Sequence, residues 1–299
     1  MEQRNWHDKY YKLLLLIPLI LILFSLTYVT INYQKTGDFF KKDISLTGGT
    51  SITVYDKISS SQAEIDLGNK LQNLNVREIY DFGTNEQRAL IVETTSDWET
   101  SKSILEEYLG YELVEGENSD IAFTGSILSE SFYSQLLVAI LIAFLFMAIV
   151  VFIIFRNLAP SGAVIISAFA DILMTLVVVD LFGIKMSTAG IVAFLMLIGY
   201  SVDTDILLTT RVLKRHEDNL NTRIFGAFKT GITMTLTSFF AILFALLIVQ
   251  SFSIILTQIF LILVIGLFFD MLNTWITNVS ILKWYVEHKE HKLKSEVEQ

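Results

Sequence analysis

Six stretches of the chain are apolar almost without interruption, at about 13–31, 136–155, 162–182, 188–208, 230–250 and 254–281. A membrane-spanning helix needs about 20 consecutive apolar residues, so each predicts a span. The last is long enough to tilt or run on into the interface. Residues 44–124 follow a different pattern of short alternating runs. SLTGGTSITVYD (Ser45–Asp56) has the period of a strand, and SSSQAEIDLGNKLQNL (Ser59–Leu74) predicts a helix with a Ser cap and a Glu in its first turn. REIYDFGT and RALIVETT, separated by NEQ, predict a hairpin. SDWETSKSILEEYLG predicts a second helix, with Trp98, Ile104, Leu105, Tyr108 and Leu109 roughly on one side, and YELVEG with SDIAFTG supplies a closing strand. The order is βαββαβ, a ferredoxin-like unit. The expected fold is therefore an α-helical membrane protein of six transmembrane helices, with an extracytoplasmic α+β domain between the first and second.

Composition agrees with a membrane protein: 53% of the 299 residues are hydrophobic and the mean hydropathy is +0.54. The first span contains Pro18, is too long for a signal-peptide core and lacks a small-x-small site before Asn32–Tyr33, so it reads as an uncleaved helix. Basic residues flank the spans at Arg4, Lys9 and Lys12, at Arg156, at Arg211, Lys214, Arg215 and Arg223, and in the tail KWYVEHKEHKLK. The opposite short loops hold Lys185 and, around VQSFS, no basic residue. The positive-inside rule then places both termini in the cytoplasm. The expected organisation is residues 1–31 for the N-terminus and first helix, 32–133 for the outer domain, 134–282 for helices two to six, and 283–299 for a cytoplasmic tail.

Charge narrows the function. The net charge of −9 comes from the outer segment, where 18 acidic residues face 8 basic ones. That balance disfavours nucleic acid and predicts a solvated acidic surface. The absence of cysteine excludes disulfides and thiolate metal sites, and no clustered polar set in the outer segment suggests catalysis.

Carboxylates within apolar spans are the candidate chemistry. One near mid-membrane costs roughly 2.5–3.5 kcal/mol on insertion scales and faces a bundle interior or a wet cavity. Candidates are Asp171, Asp180, Asp203 with Asp205, and Asp270. Asp171 and Asp203 lie at similar depth, about 13 and 12 Å from the cytoplasmic side, which predicts that they are neighbours. Asp205 is rotated about 200° from Asp203, so the two face different surroundings. Asp180, near the outer end, reads as an interfacial residue, and Asp270 as a pathway residue or a hydrogen-bonded packing element. Ser201, Thr204, Thr209 and Thr210 make this part of span four polar over several turns, and Gly199 predicts close approach of another backbone. An intramembrane aspartyl protease would also need two facing carboxylates. Its Tyr-Asp and Gly-x-Gly-Asp motifs are absent, since Ala170 precedes Asp171 and Val202 precedes Asp203.

SLTGGT (Ser45–Thr50, with Gly48 and Gly49) resembles a D-F-x-G-G-T motif that follows the first span in the SecF family. FADILMTL (Phe169–Leu176) is similar to its H-D-x-x-x-T-L segment, and GYSVDTDILL (Gly199, Tyr200, Ser201, Asp203, Thr204, Asp205) to its G-Y-S-x-N-D-T-x-x segment, with Arg211 following. Ser45 stands where that family usually has Asp, and Ala170 where it has His. Asp203-Thr204-Asp205 replaces Asn-Asp-Thr in a form similar to the archaeal branch, so the family's proton-linked Asp falls on Thr204. The resemblance, which covers nearly the whole chain, implies an accessory subunit of the Sec protein-export machinery in the cytoplasmic membrane. It implies SecD, the SecYE channel, exported polypeptides and membrane lipids as partners, the proton gradient as a driving force, and no cofactor. Because the related resistance-nodulation-division exporters carry two such halves, a proton-coupled exporter of small molecules or lipids is the alternative.

Overall fold

The computed structural model describes residues 11–81, 84, 86–214, 219–250 and 253–297. Arg4, Lys9 and Arg215, part of the NEQ turn, and part of VQSFS lie outside the described residues. Among these, six helices are long and apolar enough to cross a membrane, and the chain is a multi-pass membrane protein.

The first, α1 (Leu16–Thr36), carries Pro18 in its first turn, and residues 11–14 before it are helical too, with a turn at Leu15 where the proline's missing amide interrupts the bonding. It ends at Gly37. A four-residue turn of helix, α2 (Ile44–Thr47), then leads into β1 (Gly49–Val54). The domain continues through α3 (Ser60–Leu67), β2 (Asn75–Tyr80), β3 (Gln87–Thr94), α4 (Trp98–Leu109) and β4 (Ser119–Thr124). The strands form one sheet in the order β2-β3-β1-β4, with every neighbouring pair antiparallel. Alternation in β1 sends Ile52 and Val54 into a core with Ala63, Leu67, Leu90, Val92 and Leu105, while Ser51 and Thr53 take the opposite face.

Local chemistry explains the junctions. Gly48 has φ 81° and Gly49 φ 143°, and a Cβ on Gly49 would lie 2.3 Å from the Thr94 carbonyl oxygen. Gly49 therefore admits no side chain. Asp97 caps α4 by accepting the Thr100 amide at 2.9 Å. At α3 the expected cap differs. Ser59 makes no side-chain cap bond and no acidic residue occupies the first turn; instead Glu78, across on β2, accepts the Ser60 amide at 2.5 Å. That bond holds the Glu78 carboxyl below the usual carboxylate range. YELVEG contributes only an isolated bridge, Glu115 to Ser119, and Trp98 stays outside the domain core.

The remaining helices are α5 (Ser126–Phe155), α6 (Leu158–Leu181), α7 (Thr188–Lys214), α8 (Leu220–Val249) and α9 (Ile254–Leu272). A π-helical turn (Asn273–Asn278) continues α9 into α10 (Val279–Val297). Several run past the apolar windows; α5 starts at Ser126 rather than near 136, and α8 at Leu220 rather than near 230. Backbone bonding carries a helix beyond the hydrocarbon layer wherever the polar end meets water. α6 and α7 form the buried centre, packed on α9 through Val179, Ile191, Phe194, Leu197, Ile262 and Leu263. Gly266 makes that packing close, since a Cβ there would sit 2.5 Å from Leu197. By contrast α5 exposes Leu141, Leu145 and Phe146, as a lipid-facing helix does.

Candidate functional site

The centre of the bundle is polar. Asp171 on α6, Asp205 on α7 and Asp270 on α9 are each 0% exposed. Asp171 accepts the Ser201 hydroxyl at 2.5 Å through Oδ2 and the Asn273 amide at 2.7 Å through Oδ1. Asp205 Oδ1 accepts from Thr274 Oγ1 at 2.8 Å and from Asn278 Nδ2 at 2.7 Å. Thr274 Oγ1 also lies 3.3 Å from Asp270 Oδ1. Asn273 is itself held, because Thr277 donates to its Oδ1 at 3.1 Å.

The π-helical turn arranges these donors. Its wider i→i+5 bonding turns the helix less per residue than an α-helix does, and such turns recur at functional sites. Asn273, Thr274 and Asn278 thereby all reach carboxylates on α6 and α7. Every one of them is buried.

The network is rich in acceptors. Asp205 Oδ2, Asp270 Oδ2 and Asn278 Oδ1 are buried without a hydrogen-bond partner within the described chain. Thr274 has one hydroxyl proton to offer two carboxyls. If Asp270 carries a proton and donates it to Thr274, and Thr274 donates to Asp205, the bonds run in one direction without conflict. Three buried carboxylates cannot all be charged here cheaply, since desolvation and like-charge repulsion add. Thr274 thus links two of the three carboxyls, and Asp171 is held separately by Ser201 and Asn273.

The expected pairing of Asp171 with Asp203 is corrected by this geometry. Asp203 is exposed on the chain's surface, and Asp205, about 200° around the helix, joins Asp171 in the interior. Depth was the wrong criterion, because helical phase decides which residue points inward. Asp203 instead lines a small outward cavity of about 120 Å³ with Tyr200, Thr204, Met234, Thr235, Ser238 and Leu267. Thr204 lies 3.4 Å from Thr235 of α8, hydroxyl to hydroxyl. Gly199, expected to admit a second backbone, is also exposed, and a Cβ there would meet nothing within 4 Å. Arg211 donates to the Gly226 carbonyl and ties α7 to α8.

Asp180 is likewise not an open interfacial residue. It is 2% exposed and accepts the Tyr28 hydroxyl at 2.6 Å and the Lys41 amide at 2.8 Å. Sequence reasoning missed Asn273, Thr274 and Asn278. The signal was the run NTWITN, four amide or hydroxyl residues within an otherwise apolar span.

A second feature lies where the sheet meets the bundle. A cavity of about 660 Å³ separates the sheet's open face, with Ser51, Thr53, Arg77 and Glu93, from Lys185, Ser187 and Gln258. Arg77 pairs with Glu93, which also accepts Asn75 at 2.7 Å. Asp43 stands at its edge, and burial, with the Glu93 carboxylate beside it, pushes its carboxyl above the usual range.

Residues 106–288 match the family model described as protein export membrane protein SecD/SecF, C-terminal. The chain is 37% identical to the protein-export membrane protein SecF of Methanocaldococcus jannaschii over 95% of this chain and 99% of that protein. It is 38% identical to the SecF of Methanothermobacter thermautotrophicus, over 93% and 94% respectively. Among solved structures it resembles SecDF of Thermus thermophilus, a translocon-associated membrane protein, with TM-score 0.73 and 17% identity. That match covers 95% of this chain and 39% of the longer one.

Proposed function

This chain belongs to the SecF family of protein-export membrane proteins, and from that premise we propose that it is an accessory subunit of the Sec translocase, working with SecD beside the SecYE channel. It promotes movement or release of exported polypeptides on the outer side of the cytoplasmic membrane. Residues 32–133 form the outer domain and both termini are cytoplasmic, as the distribution of Lys and Arg supports. The part is mechanical rather than enzymatic.

The observation that carries this reading is the buried set Asp171, Asp205 and Asp270, with Asp171 held by Ser201 and Asn273, Asp205 and Asp270 sharing Thr274, and Asn278 on Asp205. A group of acids fully enclosed in a bundle is costly and has value where its protonation changes. One charge moved across 100 mV releases about 2.3 kcal/mol, enough to bias a two-state equilibrium by roughly fiftyfold. The outward face of α7, with Gly199, Tyr200 and Asp203, is where the companion half seats and shields a carboxylate from lipid.

The test is export by purified complex in sealed vesicles with an imposed proton gradient. Export faster with the gradient than without, and insensitive to it in Asp205→Asn, supports the reading. Equal export by Asp205→Asn under the gradient sinks it.

A further inference from the structure

Two of the three helices that supply the buried carboxyls, α6 and α7, are fastened at their outer ends to one short segment, Lys41–Ser45, which leads from α1 toward β1, and α9 is fastened to the loop between them. Asp180, near the end of α6, accepts the Lys41 amide at 2.8 Å and the Tyr28 hydroxyl at 2.6 Å. Met186, in the loop between α6 and α7, bridges to the same segment: its amide donates to the Lys41 carbonyl at 2.7 Å and its carbonyl accepts the Asp43 amide at 2.8 Å. Ser45 Oγ accepts the amide of Thr188, the first residue of α7, at 3.2 Å. Gln258 of α9 donates to the Lys185 carbonyl at 2.6 Å and accepts the Ser187 hydroxyl.

We propose that Asp180 is a positioning residue that couples the carboxyl cluster to the sheet domain, by locking the Lys41–Ser45 segment to the helix that bears Asp171. Asp180 lies nine positions along the same continuous helix from Asp171, about 13 Å of rise. A packed helix moves as a body rather than by local deformation. Any shift of α6 that follows a change at Asp171 is therefore delivered to Asp180 and, through its bond from the Lys41 amide, to the backbone leading to β1, while the Tyr28 hydroxyl ties it to α1. Asp180 suits this task because one carboxylate accepts from two chain segments at once, and at 2% exposure neither bond competes with water. Met186 and Thr188 tie the loop and α7 to the same segment, and Gln258 ties α9 to that loop, so relative movement of α9 reaches the segment by way of the loop. Beyond it lies the 660 Å³ cavity, which leaves the sheet room to change its distance from the bundle.

The inference rests on the function proposed above, and its test separates the two. The chain has no cysteine, so Thr53→Cys and Ile255→Cys, on opposite walls of the cavity, can each carry a spin label in the full complex in vesicles. With Asp180 present, imposing the proton gradient shifts the label-to-label distance. Asp180→Ala retains the resting distance and loses the shift. Asp180→Asn, which keeps an acceptor for the Lys41 amide, restores it; a purely structural residue would alter the resting distance instead. A full shift in Asp180→Ala, or no shift in the parent, overturns the coupling. Normal gradient-driven export by Asp205→Asn would instead overturn the function on which it rests.

Discussion

Asn278 donates a 2.7 Å hydrogen bond to Asp205, joining the far end of a π-helical turn in the sixth span to the fourth span. Asp203, two residues away, makes no part of that network and sits on the outer surface of the same helix. The two carboxylates of the D-T-D motif therefore sit in different surroundings. Asp205→Asn is expected to slow gradient-driven export by about tenfold, within the range of ordinary coupling energies. Asp203→Asn is expected to weaken association with the companion subunit while leaving the isolated chain's thermal stability unchanged. Export rates and co-purification yields, measured side by side on the two variants, check the division.

Asn278 itself is a stability element. Replacing it with Ala removes a buried donor from Asp205, and intramembrane hydrogen bonds of this kind contribute about 0.6–2 kcal/mol. Thermal unfolding of Asn278→Ala in detergent should show a loss of that order. No change would mean that Thr274 alone satisfies Asp205 Oδ1.

Gly49→Ala should be among the most damaging single changes in the sheet domain. The new Cβ would meet the Thr94 carbonyl 2.3 Å away at a backbone φ of 143°, and such strain costs about 2–4 kcal/mol. Limited proteolysis of the full chain is the readout, with faster cleavage between residues 50 and 124 expected.

Asp43 gives a pH-dependent prediction. Its carboxyl is raised above the usual range chiefly by burial and secondarily by Glu93. A carboxyl whose folded value exceeds its unfolded value favours folding most at acid pH, and that contribution is lost as pH rises through the folded value. Asp43→Asn keeps an acceptor for the Ile44 amide and removes the buried charge. Its melting temperature should exceed the parent's at neutral pH, with the gap closing as pH falls through the carboxylate range. A gap that stays constant with pH would show that Asp43 is ionised at no cost.

The six spans and the βαββαβ element order were legible along the chain, because a run of twenty apolar residues and a period of two are local properties. The cap at α3 was not. Glu78 reaches Ser60 only after β2 has been placed beside it, and Ser59 looked sufficient until then.

The sequence by itself determined that carboxylates would lie within the membrane-spanning helices and that Asp203 and Asp205 would face apart, since helical rotation per residue is set by the backbone. Only the tertiary structure decided which of the two points inward. The absolute phase of a helix depends on its neighbours, here Gly266 admitting Leu197 and the π-helical turn swinging Asn273, Thr274 and Asn278 toward α6 and α7. Asp180 follows the same logic: its depth could be counted along the chain, but its two partners lie 139 and 152 residues away, and only folding brings them together.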